Sequence, residues 1–148
     1  MERRVVITGL GAITPIGKDV NESWNSILNK KCGIDNISLF DNCTFKTKVD
    51  AEVKNYESQE YFDLKQSKRL DRSSQFAMVA AREAFLDSKI TKENTDLEKV
   101  GVFVSSGIGG LTTIQNQCEI NIQKGHNRVS PMFIPMSIAN MPAGNIAI

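Results

Sequence analysis

Histidine and cysteine are scarce in this sequence, which has one histidine, His126, and three cysteines, Cys32, Cys43 and Cys118. The cysteines are too far apart for a Cys-x-x-Cys zinc or redox motif. One histidine is too few for a metal site or a catalytic triad built from this chain alone. A dyad of His126 with one cysteine stays open, although free cysteines are usually small buried hydrophobic residues. Unpaired cysteines favour a reducing compartment, so we expect the protein in the cytoplasm.

An excess of charge of either sign is also absent. The 18 Lys and Arg residues nearly balance the 17 Asp and Glu residues, which gives a formal net charge of +1. A nucleic-acid-binding domain is usually markedly basic, with its cations gathered on one face. Nucleic acid is therefore not an expected partner.

Long hydrophobic runs are missing as well. The apolar run at residues 5–7 is ended by Thr8 and Gly9, which makes it too short for a signal peptide. Residues 129–148 carry no charged side chain, but three prolines interrupt them and leave no block of about 18 apolar residues that could span a membrane. We expect no membrane segment, and we expect this uncharged stretch to be covered by further chain or by a second subunit.

The hydrophobic pattern predicts strands that alternate with helices in a single domain, residues 1–148. The β-branched run at residues 5–8 and the apolar run at residues 100–104 are predicted to be buried strands. Predicted helices run from the cap Asp19 to about Lys30, with Val20, Trp24, Ile27 and Leu28 on one face, then over Ser73–Phe85, and from Leu111 to a stop at Gly125. Residues 34–62 are predicted to form short strands or an irregular excursion. This order is typical of an α/β protein with a mostly parallel sheet.

Two glycine-containing turns are candidate ligand sites. Gly9-Leu10-Gly11 follows a predicted strand, as in a nucleotide-binding reductase, but Thr14 stands where the third glycine of GxGxxG is required, which favours a purely structural turn. The segment Ser105–Gly110 leads from a predicted strand into a helix, where open α/β folds often bind ligands. A flexible connection explains that segment equally well, and the GxSxG pattern of a serine nucleophile is absent.

One local basic cluster interrupts the balanced charge. Lys65, Lys68, Arg69 and Arg72 are spaced by three and four residues, so they share one side if the segment is helical, and Asp71 is the one acid among them. A solvated charged turn is one explanation. A docking surface for an acidic partner is the other, because such a patch steers association and orientation.

Several segments, taken together and in order, resemble the β-ketoacyl-acyl-carrier-protein synthase family. The matching segments are Arg3-Arg4-Val5-Val6-Ile7-Thr8-Gly9-Leu10-Gly11 with Thr14-Pro15-Ile16-Gly17, Asp71-Arg72-Ser73-Ser74-Gln75-Phe76-Ala77, Ser106-Gly107-Ile108-Gly109-Gly110-Leu111, Ser130-Pro131-Met132-Phe133-Ile134-Pro135 and Asn140-Met141-Pro142-Ala143-Gly144-Asn145. The Thr14–Gly17 segment is more similar to the type II, fatty-acid-elongating enzymes than to type I.

The resemblance implies a thiolase-like fold with α-β-α-β-α layers, of which this chain is most of the N-terminal half. It implies a homodimeric acyltransferase that takes an acyl chain onto a cysteine from acyl carrier protein and condenses it with malonyl-acyl-carrier-protein, releasing CO2. The nucleophilic cysteine, two histidines and a lysine of the family are expected beyond Ile148, so the fragment itself is expected to be inactive. No cofactor and no metal is implied.

The resemblance also assigns residues within this chain. Ile108 matches a position that lines the acyl-chain pocket, and Phe133 matches one that reaches that pocket from the partner subunit. The residues that match the basic surface on which the carrier protein docks are Lys65, Lys68, Arg69 and Arg128. The alternative within the fold is a non-condensing chain-length-factor subunit or another polyketide synthase relative.

Overall fold

The computed structural model describes residues 4–148, so Arg3 of the first family-like segment lies outside the described residues. The helices are α1 Val20–Leu28, α2 Leu64–Ser67, α3 Arg72–Ser88, α4 Leu111–Lys124, α5 Phe133–Ser137 and α6 Met141–Ala147; the strands are β1 Asp35–Asn36 and β2 Val49–Asp50. The chain divides into a first unit, residues 1–56 with 82–89, and a second unit, residues 57–81 with 90–148.

Helix α1 in the first unit begins where its cap was predicted. The Asp19 carboxylate accepts a hydrogen bond from the Glu22 N–H at 2.7 Å, and the Glu22 carboxylate accepts one from the Lys18 N–H at 2.8 Å. These two bonds satisfy N–H groups that a helix start leaves without partners. The helix ends at Leu28, two residues before the predicted end, and Lys30 has a left-handed φ of 56°.

The face that α1 buries is made of serines. Ser23 and Ser26 are its buried residues, whereas Trp24 is 58% exposed. The hydroxyl of Ser26 donates to the Ile16 carbonyl at 2.6 Å, and an added Cβ at Gly17 would lie 2.3 Å from the Ser23 nitrogen. Small side chains are needed here because the preceding loop lies directly against the helix. Of the predicted apolar face, Val20 is half-buried, whereas Trp24, Ile27 and Leu28 are each more than half exposed.

The excursion over residues 34–62 contains the short strands that were predicted. Strands β1 and β2 pair antiparallel, with Asp35 opposite Asp50. Glu52, two residues after β2, is 6% exposed. Its carboxylate accepts hydrogen bonds from the hydroxyl and N–H of Ser38 and from the N–H of Leu39. The Ser38 hydroxyl and N–H lower the pKa of Glu52 from its ordinary value of 4.5.

The two predicted buried strands are wrong as local structure. Residues 5–8 and 100–104 contain no assigned strand, and their side chains include Val5 at 88% and Phe103 at 96% exposure. A strand requires backbone hydrogen bonds to a neighbour, and no part of residues 4–148 pairs with either run. The sheet of the described residues is two-stranded and antiparallel, so the mostly parallel sheet is not confirmed.

Helices α3 and α4 follow the sequence pattern more closely than α1 does. Helix α3 covers the predicted Ser73–Phe85 and extends beyond it at both ends. Helix α4 ends before Gly125, whose φ of 84° suits glycine. Among residues 4–148, the buried apolar side chains larger than alanine are Val79 on α3 and Pro142 on α6. No helix in that range is long and apolar enough to cross a membrane.

The three cysteines are not buried, whereas most free cysteines are. Cys32 and Cys43 lie in loops of the first unit and Cys118 lies on α4, and all three are exposed. Hydrogen bonding to Asp41 raises the pKa of the Cys43 thiol, which disfavours the nucleophilic thiolate.

Candidate functional site

The segment Ser105–Gly110, called here the glycine loop, is held against the end of helix α5. The Gly110 N–H donates to the Ser137 carbonyl at 2.9 Å. A Cβ added at Gly110 would lie 2.4 Å from the Met136 carbonyl oxygen, and one added at Gly109 would lie 2.3 Å from that of Ser137. Gly109 also has a φ of 92°. Glycine is required at both positions, because only a backbone without Cβ can approach these carbonyls so closely.

This contact joins the two segments that carry the predicted pocket residues. Ile108 lies on the glycine loop and is 64% exposed, and Phe133 is the first residue of α5 and is half-buried. Inside the loop, the Ser106 hydroxyl accepts a hydrogen bond from the Gly109 N–H at 2.9 Å. The backbone around Ile108 is thereby fixed relative to α5.

The same side of Gly110 that meets α5 also lies against a buried carboxylate, that of Asp71. One Asp71 oxygen accepts from the N–H and hydroxyl of Ser73, each at 2.9 Å. The other oxygen accepts from the Thr113 hydroxyl at 2.6 Å and the Thr113 N–H at 3.2 Å. Asp71 is 5% exposed. It connects the start of α3 to the first turn of α4, immediately after the glycine loop.

The basic cluster lies on and after the short helix α2. The Asp63 carboxylate caps α2 by accepting from the N–H groups of Lys65 and Gln66. Lys65 and Arg69 line an open cleft of about 510 Å³. The apolar residues of that cleft are Leu70, Met78, Met132, Pro135, Met141 and Ile148. The lining of the cleft therefore combines two cations and the Asp63 carboxylate with three methionines.

The two other predicted docking residues, Lys68 and Arg128, and Arg72 of the basic cluster lie elsewhere. Lys68 follows the last residue of α2 and is exposed, so the single helix that would align all the cations is interrupted. Arg72 begins α3, and its guanidinium lies 4.9 Å over the ring of Phe76. Arg128 is exposed on the turn His126–Arg128 and does not line the cleft.

The Gly9–Gly11 turn lacks what a phosphate site needs. Its Leu10 N–H donates to the Asp87 carboxylate at 3.0 Å, and its Ala12 N–H donates to the Glu83 carboxylate at 2.8 Å. A Cβ at Gly9 would lie 2.2 Å from the Ala84 carbonyl oxygen. A phosphate would compete with two carboxylates for the same donors and would be repelled by their charge. The glycine serves close packing on α3.

Metal-binding side chains are not gathered in the described part of the chain. Among residues 4–148, no three His, Cys, Asp or Glu side chains are arranged to hold a metal ion. His126 lies exposed on its turn, away from the lining of the described cleft.

Comparison with known proteins identifies what the chain is similar to. Residues 2–148 match a family model described as the N-terminal domain of beta-ketoacyl synthase. The chain is 40% identical over 146 residues to the 3-oxoacyl-[acyl-carrier-protein] synthase 2 of Staphylococcus aureus (strain N315), and the match covers 99% of this chain but 35% of that protein.

Two solved structures have a similar fold. The ishigamide ketosynthase/chain length factor matches with a TM-score of 0.79 and 25% identity, over 99% of this chain and 37% of the other. A ketosynthase bound to a hexaketide, solved in complex with its type II PKS acyl-carrier protein, matches with a TM-score of 0.78 and 20% identity, over 99% and 38%. The described chain therefore shares the fold of part of a ketosynthase.

Proposed function

Because this chain belongs to the beta-ketoacyl synthase family, we propose that it forms the N-terminal part of a 3-oxoacyl-[acyl-carrier-protein] synthase of fatty acid synthesis. The 40% identity to the Staphylococcus aureus protein of that name supports the assignment. The whole enzyme, a cytoplasmic homodimer, elongates an acyl chain by two carbons through condensation with malonyl-acyl-carrier-protein. Its nucleophilic cysteine and catalytic histidines lie outside residues 1–148.

The exposed apolar runs of the first and second units fit this proposal. Apart from Gly101, residues 5–8 and 100–104 are β-branched or aromatic, and they are unpaired within residues 4–148. In the complete thiolase-like fold they become strands of a mostly parallel sheet that lies between helical layers. Their exposed apolar side chains are what such a sheet would bury.

The glycine loop and α5 form one wall of the acyl-chain pocket. The observation that carries this assignment is the hydrogen bond from Gly110 to Ser137, since it fixes the loop of Ile108 against the helix of Phe133. Both side chains are apolar, and neither is fully buried. Ile108 lines the pocket of its own subunit, and Phe133 reaches the pocket of the partner subunit.

Acyl carrier protein docks on Lys65, Lys68, Arg69 and Arg128. These side chains are exposed, and two of them border the methionine-lined cleft. Exposed cations next to apolar side chains suit an acidic partner that also presents apolar side chains. The PKS ketosynthase solved with its acyl-carrier protein supports a partner of this kind.

The docking assignment is tested by reversing two charges in the full-length enzyme. Lys68→Glu with Arg69→Glu should raise the KM for acyl carrier protein about tenfold at low salt, because two exposed ion pairs of up to ~1 kcal/mol each are lost and replaced by repulsion. The kcat should change little, and the difference should shrink as salt is added.

A matched control separates local docking from net charge. Lys30→Glu with Lys31→Glu makes the same change in charge on the first unit and should leave the KM near the wild-type value. An equal rise in KM for both double variants, or no rise at low salt for Lys68→Glu with Arg69→Glu, would remove the docking assignment.

A non-condensing chain-length factor is the second candidate, favoured by the similarity to the ishigamide ketosynthase/chain length factor. The two candidates differ in whether the complete protein acquires an acyl group on a cysteine. Mass spectrometry after incubation with acyl-acyl-carrier-protein distinguishes them: an acylated cysteine supports a synthase, and its absence in a folded protein supports a chain-length factor.

A further inference from the structure

We propose that Asp71 is a positioning residue that holds the glycine loop, and with it Ile108, in the conformation that sets the acyl-chain length accepted by the enzyme. The inference rests on the proposed function. The inference goes beyond that function by assigning a role in selectivity to a residue that would touch neither the substrate nor the nucleophile.

The Asp71 carboxylate is suited to join two elements because both of its oxygens are used. Four donors converge on it: the N–H and hydroxyl of Ser73 on one oxygen, and those of Thr113 on the other. An ionised carboxylate accepts at both oxygens and donates at neither, so it matches four donors at a site that is 5% exposed. An amide of the same shape would turn an NH2 group toward one of these donor pairs.

The end of the glycine loop lies directly against both this carboxylate and α5. The Cβ position of Gly110 lies 2.8 Å from the Asp71 Cγ and 2.4 Å from the Met136 carbonyl oxygen. Gly110 immediately precedes α4, whose first turn contains Thr113. Movement of Asp71 or Thr113 therefore moves the end of the loop that carries Ile108.

Ile108 can transmit this movement to the substrate. Its side chain is 64% exposed, and it stands two residues before Gly110. In a hydrophobic pocket, one methylene changes discrimination by about 10-fold to 200-fold. A loop displaced by the length of one methylene should thus alter the ratio of kcat/KM values for long and short primers.

The test uses the full-length enzyme with two acyl-acyl-carrier-protein primers, one long and one short. Asp71→Asn should change the ratio of their kcat/KM values by about tenfold. Thr113→Val, which keeps the shape but removes the hydroxyl donor, should change it in the same direction. Thr113→Ser, which keeps the donor, should retain the wild-type ratio. Asp96→Asn, at an exposed cap in the same unit, is the control and should also retain it.

The possible results separate a failure of the proposed function from a failure of the positioning role of Asp71. A wild-type enzyme that condenses neither primer overturns the proposed function. An active wild-type enzyme whose Asp71→Asn and Thr113→Val forms lose activity equally on both primers overturns the positioning role alone, because a merely structural contact lowers both rates together. If Asp71→Asn fails to fold, the kcat/KM ratios of Thr113→Val and Thr113→Ser test the positioning role in the same way.

Discussion

Replacing Gly110 by alanine tests how tightly the glycine loop is held against its neighbours. The new Cβ would lie 2.4 Å from the Met136 carbonyl oxygen and 2.8 Å from the Asp71 Cγ. A backbone carbonyl cannot rotate away as the tip of a long side chain can, so α5 or the loop must shift. Forcing one carbon into such a contact costs about 1–3 kcal/mol of folding free energy.

The two neighbouring glycines provide a graded series. An alanine at Gly109 meets the Ser137 carbonyl oxygen at 2.3 Å and adopts a φ of 92°, so a left-handed cost of about 1–2 kcal/mol adds to the clash. An alanine at Gly107 meets nothing within 4 Å, and the φ there is not positive. We expect Gly107→Ala to leave stability unchanged or to raise it by about 0.4–1 kcal/mol.

Urea unfolding of the full-length enzyme, at equal protein concentration, measures the series. The free energy of unfolding should fall most for Gly109→Ala, next for Gly110→Ala, and not at all for Gly107→Ala. If Gly107→Ala is as destabilising as Gly110→Ala, the loop is sensitive to any substitution and the specific approach to α5 is refuted. A neutral Gly110→Ala would refute it as well.

Local signals in the sequence predicted the three longer helices, α1, α3 and α4, whereas the short helices α2, α5 and α6 were not predicted. The Asp19 and Glu22 pair marks the start of α1, and Gly125 marks the end of α4, because each acts on backbone groups within a few residues of itself. The same holds for α3, whose alanine-rich pattern favours a helix in many surroundings. Such features need no knowledge of distant contacts.

Features that depend on distant chain were predicted poorly. The apolar pattern at Val20, Trp24 and Leu28 predicted the inward face of α1, but the loop at Gly17 covers the serine face instead. Likewise, residues 5–8 have strand propensity but no paired neighbour in the described range. Strand propensity indicates the conformation that a segment favours, whereas hydrogen bonding to a neighbouring strand decides whether the segment forms a strand.

Residues for the candidate site were suggested by family resemblance, but the contacts that join their segments were not predicted. Ile108 and Phe133 were assigned through family resemblance, yet nothing in their spacing indicates that Gly110 bonds to Ser137. Asp71 was noted only as the one acid in a basic cluster. An aspartate two residues before Ser73 at a helix start is a capping signal, and this signal predicts the bonds from Ser73 to Asp71. The bonds from Thr113 to Asp71 join residues far apart in the chain and could not be predicted from the sequence.

Two further predictions concern the first unit. A dinucleotide at 100 times the dissociation constant of a specific site would add about 2.7 kcal/mol of stability. We expect no rise in melting temperature with NADH, because the Leu10 and Ala12 N–H groups already donate to carboxylates. A clear rise would contradict this expectation. The lowered pKa of Glu52 means that its ionised carboxylate stabilises the fold above pH 4.5 and that this contribution is lost as the pH falls through the folded-state pKa. Glu52→Gln should therefore lower the melting temperature at neutral pH, and the difference from wild type should narrow at each step below pH 4.5. A difference that stays constant on acidification would show that burial of the side chain, not the charge of Glu52, stabilises the excursion.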